Sequence, residues 1–220
     1  MKIIKQMCCL VALNTVLWIY SQKLTVYAPD FAGLFGQWTA DFDRFNAMCI
    51  HWIAMRITAW LSALWQMLWL EQRFMIYLFI RERNYRKMFV RQYERCALGV
   101  ASYFVAQLLV FAALAVRSYG VSFVCSGFLR MELWAVLINE ILGTLNFCLL
   151  VYGLYCKTRK AEISFLILLA ARMVLGCAVG GLSQYLYLCL AVNLLGNMIL
   201  TLCVMNVAGA GFYDRVQGET

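Results

Sequence analysis

The sequence predicts an all-helical, polytopic membrane fold, and three observations carry the prediction. Of the 220 residues, 64% are apolar and only 14% charged, with a mean hydropathy of +0.74; ordinary soluble domains do not have this composition. The run from Cys96 to Val116 holds no charged residue, and about 20 apolar residues suffice to cross the hydrocarbon core. Cations gather between apolar runs, above all from Arg81 to Arg95, where Arg81, Arg83, Arg86, Lys87, Arg91 and Arg95 face only Glu82 and Glu94. Lys and Arg in short loops mark the cytoplasmic side, so the pattern predicts six spans with both termini inside.

The formal net charge of +8 follows from the same bias. Twelve of the nineteen Lys/Arg fall in segments placed inside, four in segments placed outside or at the outer boundary, and Arg56, Arg73 and Arg172 within or beside spans. The excess therefore reports orientation, and a nucleic-acid partner, which needs a basic face on a soluble scaffold, is not expected. Ten cysteines form no C-x-x-C pair, and Cys8, Cys9, Cys148, Cys177, Cys189 and Cys203 lie in apolar runs, which fits small buried hydrophobes. The single histidine, His51 beside Trp52, reads as an interfacial polar residue, since a metal site needs several converging donors. No phosphate-binding loop, H-E-x-x-H or Ser/His/Asp set is present, so neither a catalytic site nor a cofactor is expected.

The first span, about 6–26, follows Lys2 and Lys5 and reads as uncleaved, because Val26-Tyr27-Ala28 before Pro29 is a poor signal-cleavage site. Residues 28–48 carry Asp30, Asp41 and Asp43 and place Phe31, Leu34, Phe35 and Trp38 on one helical face, which suggests a helix in the outer headgroup zone. The second span, about 49–72, contains four tryptophans and Arg56, expected to snorkel from its outer end. Glu71 and Arg73 then break the apolar run near the inner surface. The basic segment 81–95 follows, too long for a plain turn and free of Gly and Pro. It is predicted as a cytoplasmic helix, only loosely amphipathic, with Lys87, Arg91 and Arg95 on one face.

The third span is 96–116, and 117–130 is expected as an outer loop. The fourth, about 131–156, returns the chain to the basic Lys157-Thr158-Arg159-Lys160, and the fifth and sixth, 163–181 and 185–211, are joined by an outer hairpin at Gly180 to Gln184. Gly176 and Gly180 make a G-x-x-x-G pair suited to close helix packing. All 220 residues then form one transmembrane domain.

Two ionised side chains fall well inside spans, Glu140 and Arg172. Facing lipid, each would cost about 2.5–3.5 kcal/mol or more, so both are expected to face protein, water or each other, and their depths suit a pair. Asn139, Asn146, Asn193 and Asn197 extend this into a polar seam between spans.

Tyr77-Leu78-Phe79-Ile80-Arg81 leading into Asn84-Tyr85-Arg86-Lys87-Met88-Phe89, with six spans and both ends inside, resembles the permease subunits of bacterial ABC exporters of the lantibiotic and antimicrobial-peptide export or immunity group. The resemblance covers the topology of the whole chain and a motif of about a dozen residues, and the sequence departs from it in having Glu82-Arg83-Asn84 at a break where small residues are commoner. It implies a multi-pass protein of the bacterial cell membrane, forming a homodimer or a heterodimer with a second permease and surrounded by membrane lipids. Arg81, Glu82, Arg83, Tyr85, Arg86, Lys87, Phe89 and Arg91 would dock a separate ATPase subunit that supplies the ATP chemistry. A non-transporting scaffold, sensor or immunity subunit that recruits a cytosolic partner through the same segment is the alternative.

The orientation has a direct check. A cysteine introduced at Asn84 is expected to resist an impermeant thiol reagent on intact cells and to react after permeabilisation; labelling from outside would invert the topology.

Overall fold

The structure, a computed structural model, describes residues 56–64, 67–68, 85–158, 160–178 and 186–218, without the side chains of 118, 172–178 and 210–218, and four helical positions near the N-terminus, Cys8, Ala12, Thr15 and Val16. The rest of the expected first span, the segment 28–48, the run 71–84 and the hairpin 180–184 lie outside the described residues, and with them the G-x-x-x-G pair. Every regular element described is an α-helix: α1 (56–64, helical again at 67–68), α2 (Tyr85–Tyr119), α3 (Val121–Phe128), α4 (Met131–Thr158), α5 (Ala161–Ala178) and α6 (Leu186–Gly218).

From Tyr85 onward, the basic segment and the third span form a single helix. No proline or glycine interrupts the chain between Tyr85 and Leu98, and the inward positions keep one stripe across the expected join: Tyr85, Met88, Phe89, Gln92, Cys96, Val100, Phe104, Leu108, Phe111 and Ala115 are all buried. Steps of three and four hold these residues on one face. The expected cytoplasmic helix therefore continues without interruption into the expected third span, as one helix of 35 residues.

The stretch 117–130 is likewise not a loop. Gly120, at φ +89°, turns the chain between α2 and α3; in that conformation a side chain would crowd the backbone. Tyr119 stacks on Phe123 at 4.8 Å, and the Trp134 indole donates to the Phe128 carbonyl at 3.0 Å, which ties α3 to α4. At the other end of α4, the Thr158 and Ser164 hydroxyls meet at 2.9 Å and Ser164 also donates to the Lys160 carbonyl at 2.8 Å. These bonds close the short turn into α5. Glu132 in the first turn of α4 and Lys157 in the last complement the helix dipole.

Three of these helices are long and apolar enough to cross a membrane: Tyr85–Arg117, Met131–Thr158 and Leu186–Gly209. At 1.5 Å per residue they reach about 50, 42 and 36 Å, against a hydrocarbon core of about 30 Å. They coincide with the expected third, fourth and sixth spans; α5 occupies the place of the fifth, and α1 lies within the second.

Side-chain contacts fix the helix directions. Arg56 meets Glu140 and Trp60 stacks on Phe147 at 4.3 Å, so α1 and α4 run the same way. Thr58 meets Tyr103 at 2.8 Å, whereas further along α1 the Met67 carbonyl accepts from Gln92 at 2.5 Å, so α2 runs against α1. Asn146 meets Asn193 and Gly153 abuts Val204, while Tyr93 meets Asn197 and Tyr85 lies against Gly209, which aligns α6 with α4 and opposes it to α2. The N-terminal turns of α2, with Arg86, Lys87 and Arg91, consequently lie at the same end of the bundle as Lys157 at the end of α4.

The fourth helix is the hub. Two thirds (67%) of its most apolar window is buried, against 6% for α6. On α6 the side chains of Tyr187, Leu188, Val192, Leu195, Met198 and Leu202 are more than half exposed. An apolar surface of that extent is a liability in water and ordinary in lipid.

The tight packing of Gly153 on α4 against α6 generates a prediction. A Cβ on Gly153 would lie 3.1 Å from Val204 Cγ2, so Gly153→Leu should overpack the contact and destabilise by about 1–3 kcal/mol. Thermal unfolding of the detergent-purified protein should show the loss, and Val204→Ala in the same chain should return part of it.

Candidate functional site: a buried polar seam and a cationic helix face

Hydrocarbon offers no hydrogen-bond partners, so polar groups on membrane-crossing helices must find them within the protein. The four asparagines do so through one continuous ladder. The Tyr93 hydroxyl on α2 donates to Asn197 Oδ1 on α6 at 2.7 Å, and Asn197 Nδ2 donates to Asn146 Oδ1 on α4 at 2.9 Å. Asn146 Nδ2 in turn donates to both oxygens of Asn193, the carbonyl at 2.9 Å and the side chain at 3.2 Å. Asn193 Nδ2 closes the series on Asn139 Oδ1 at 2.7 Å.

Spacing makes the ladder possible. Asn139 and Asn146 are seven apart and Asn193 and Asn197 four apart, so each pair shares a helix face. Gly196 sits between the latter two and leaves room for the Asn146 amide, which would lie 3.6 Å from a Cβ at that position. The seam predicted from sequence is thus assembled, with Tyr93, which the sequence reading passed over, as its fifth member. Its donors run in one direction through three helices.

Glu140 lies one residue from Asn139 and points about 100° away around α4, toward α1. It is 3% exposed. Arg56 grips both carboxylate oxygens, with Nε 2.7 Å from Oε2 and Nη2 on Oε1. The fork geometry is that of a bidentate, charge-assisted pair. Arg56 was expected to snorkel; its side chain, 18% exposed, instead serves as the counter-ion of Glu140. The side chain of Arg172 lies outside the described residues.

Around the basic segment, the structure separates the expected docking residues into two groups. Tyr85 and Phe89 are buried, at 2% and 1% exposure; Phe89 lies 6.2 Å from the Tyr152 ring and Tyr85 against Gly209. They anchor α2 to α4 and α6. Arg86, Lys87, Arg91 and Arg95 are exposed, with Val90 and Glu94 between them. The segment is sharply two-sided, more so than the sequence reading held. Arg81, Glu82 and Arg83 lie outside the described residues.

Among the described residues no three His, Cys, Asp or Glu side chains converge as a metal site would require. The described cysteines are free thiols; Cys96 and Cys148 sit in the core and point at the carbonyls of Ala63 and Trp60, at 3.7 and 3.8 Å. No family model matches the sequence, and neither a curated protein nor a solved structure matches it.

The ion pair yields a double-mutant prediction. Removing one partner of a buried pair strands the other charge and costs about 3–5 kcal/mol, with partial exposure of Arg56 favouring the lower end. Glu140→Leu and Arg56→Met should each lower the unfolding temperature in detergent strongly. The double substitution should recover most of the loss; simple additivity would show that the two side chains act independently.

Proposed function

We propose that the chain is a six-span subunit of the bacterial cell membrane, both termini inside, that engages a cytosolic partner through the cationic face of α2. The particular form proposed is the permease of an ABC exporter for a peptide or other amphipathic substrate, paired with itself or a second permease and driven by a separate ATPase subunit. The observation that carries the reading is the two-sided start of α2. Arg86, Lys87, Arg91 and Arg95 are exposed on one side, while Tyr85, Met88, Phe89 and Gln92 are buried on the other. Four cations held on a well-anchored helix form a ready docking surface for an acidic patch, because complementary charge speeds and orients association.

In this scheme the spanning helix itself transmits the docking event. A partner pressing on Arg86, Lys87 or Arg91 acts on a rod that continues through Cys96 to Tyr119 without a break, and through Tyr93 on the seam with α4 and α6. ATP hydrolysis needs a phosphate cradle and a bound Mg²⁺, which the partner would bring.

One observation favours a second reading, a scaffold, sensor or immunity subunit that recruits a partner without transport. Asn139, Asn146, Asn193 and Asn197 satisfy one another across the α4–α6 interface, which suits a closed structural seam better than a substrate path.

Co-purification separates the two. A permease should bring down an ATPase whose turnover rises when the pair is reconstituted in lipid, whereas a scaffold should retain its partner without that rise. Reversing charge with Lys87→Glu and Arg91→Glu together should release the partner or abolish the stimulation while leaving membrane insertion intact. Unchanged association and turnover would remove the cationic face from the scheme.

A further inference from the structure

A groove enclosing about 320 Å³ opens between α4, α5 and α6, apart from both the asparagine ladder and the exposed face of α2. Its walls are Leu150 and Leu154 from α4, Leu168 from α5 and Leu200 from α6, and among the described residues Lys157 is its one charged lining residue. Small-molecule sites share this build, an apolar trough with one or a few polar groups that set orientation.

The charge stands at one end. Lys157 is exposed in the last turn of α4, at the end of the bundle where the cations of α2 also lie. From Leu150 to Lys157 the groove follows seven residues of helix, about 10 Å, roughly two thirds of one leaflet of a hydrocarbon core about 30 Å thick. The outer face of α6 beside it is bare and apolar, with Met198 and Leu202 more than half exposed. A hydrocarbon chain can therefore enter sideways from a bilayer while the lysine stays at headgroup depth.

We propose that this groove binds one acyl chain of an anionic phospholipid, whose phosphate pairs with Lys157. The occupant follows from charge and polarity together: an acyl chain matches the leucine walls, and an anionic headgroup matches the cation at their mouth. A second copy of the chain laying an apolar helix there would satisfy the walls and leave the lysine unmatched.

The purified full-length protein in detergent, examined by native mass spectrometry with phosphatidylglycerol or phosphatidylcholine of identical acyl chains, tests the proposal. Phosphatidylglycerol should be retained about fivefold over phosphatidylcholine, the effect of one lysine at an anionic headgroup. Lys157→Gln should abolish the preference, Lys87→Gln, a cation outside the groove, should leave it, and glycerol 1-phosphate should not displace the lipid. Equal retention of the two lipids, persistence of the preference in Lys157→Gln, or an equal loss in Lys87→Gln would overturn the site. Displacement by glycerol 1-phosphate would reduce it to a phosphate site without an acyl chain, and a lipid-free dimer would show that a second copy covers the groove; either result also overturns the proposal.

Discussion

A carboxylate in an apolar interior must have its charge met within a few ångströms, and Glu140 meets this constraint through Arg56. The bidentate grip fixes more than a local contact. Once Arg56 lies on Glu140, one turn further along Trp60 falls on Phe147 and its carbonyl on the Cys148 thiol, so a single ion pair sets the register of α1 against α4. From there Thr58, Ala63 and Met67 reach Tyr103, Cys96 and Gln92 in descending order along α2. The three-helix contact is built outward from one charge.

The opposite side of α4 uses a different chemistry for the same purpose. Toward α6 the helix presents amides, whose individual interhelical hydrogen bonds average only about 0.6 kcal/mol, and whose value lies in direction. Each asparagine donates to the next, and Tyr93 joins the series to α2. Leucine packing would tolerate sliding by a fraction of a turn; amides at seven- and four-residue spacings do not. Specificity of register is a documented use of buried polar groups, and here two polar faces of one helix hold its neighbours on either side.

Much of this was legible in the sequence, and the limits have a physical cause. Hydropathy and charge marked the spans 131–156 and 185–211 to within two residues of the apolar stretches Met131–Thr158 and Leu186–Gly209, because both signals are local. The asparagine seam was legible too, since polar residues in apolar helices have few places to go. What eluded the sequence was the pairing of Glu140 with Arg56: depth suggested Arg172 and left Arg56 to snorkel, and nothing in a single chain states which helix lies beside α4. The continuity of the basic segment with the third span was not read from the sequence, because it shows only in the buried stripe that runs unbroken from Tyr85 through Cys96 to Ala115. The stretch 117–130 was expected as a loop, and the positive φ of Gly120 and the short helix beyond it needed the fold.

The attachment of α6 to α4 bears on the order of assembly. It is made after α4, yet it supplies Asn193 and Asn197, the partners of Asn139 and Asn146 on a helix synthesised some fifty residues earlier. During biogenesis the amides of α4 must wait, either retained in the insertion machinery or bonded to passing water, until α6 arrives. A nascent chain stopped before Leu186 would hold that side of its hub open, which gives quality-control proteases a distinguishing mark between the unfinished and the finished molecule.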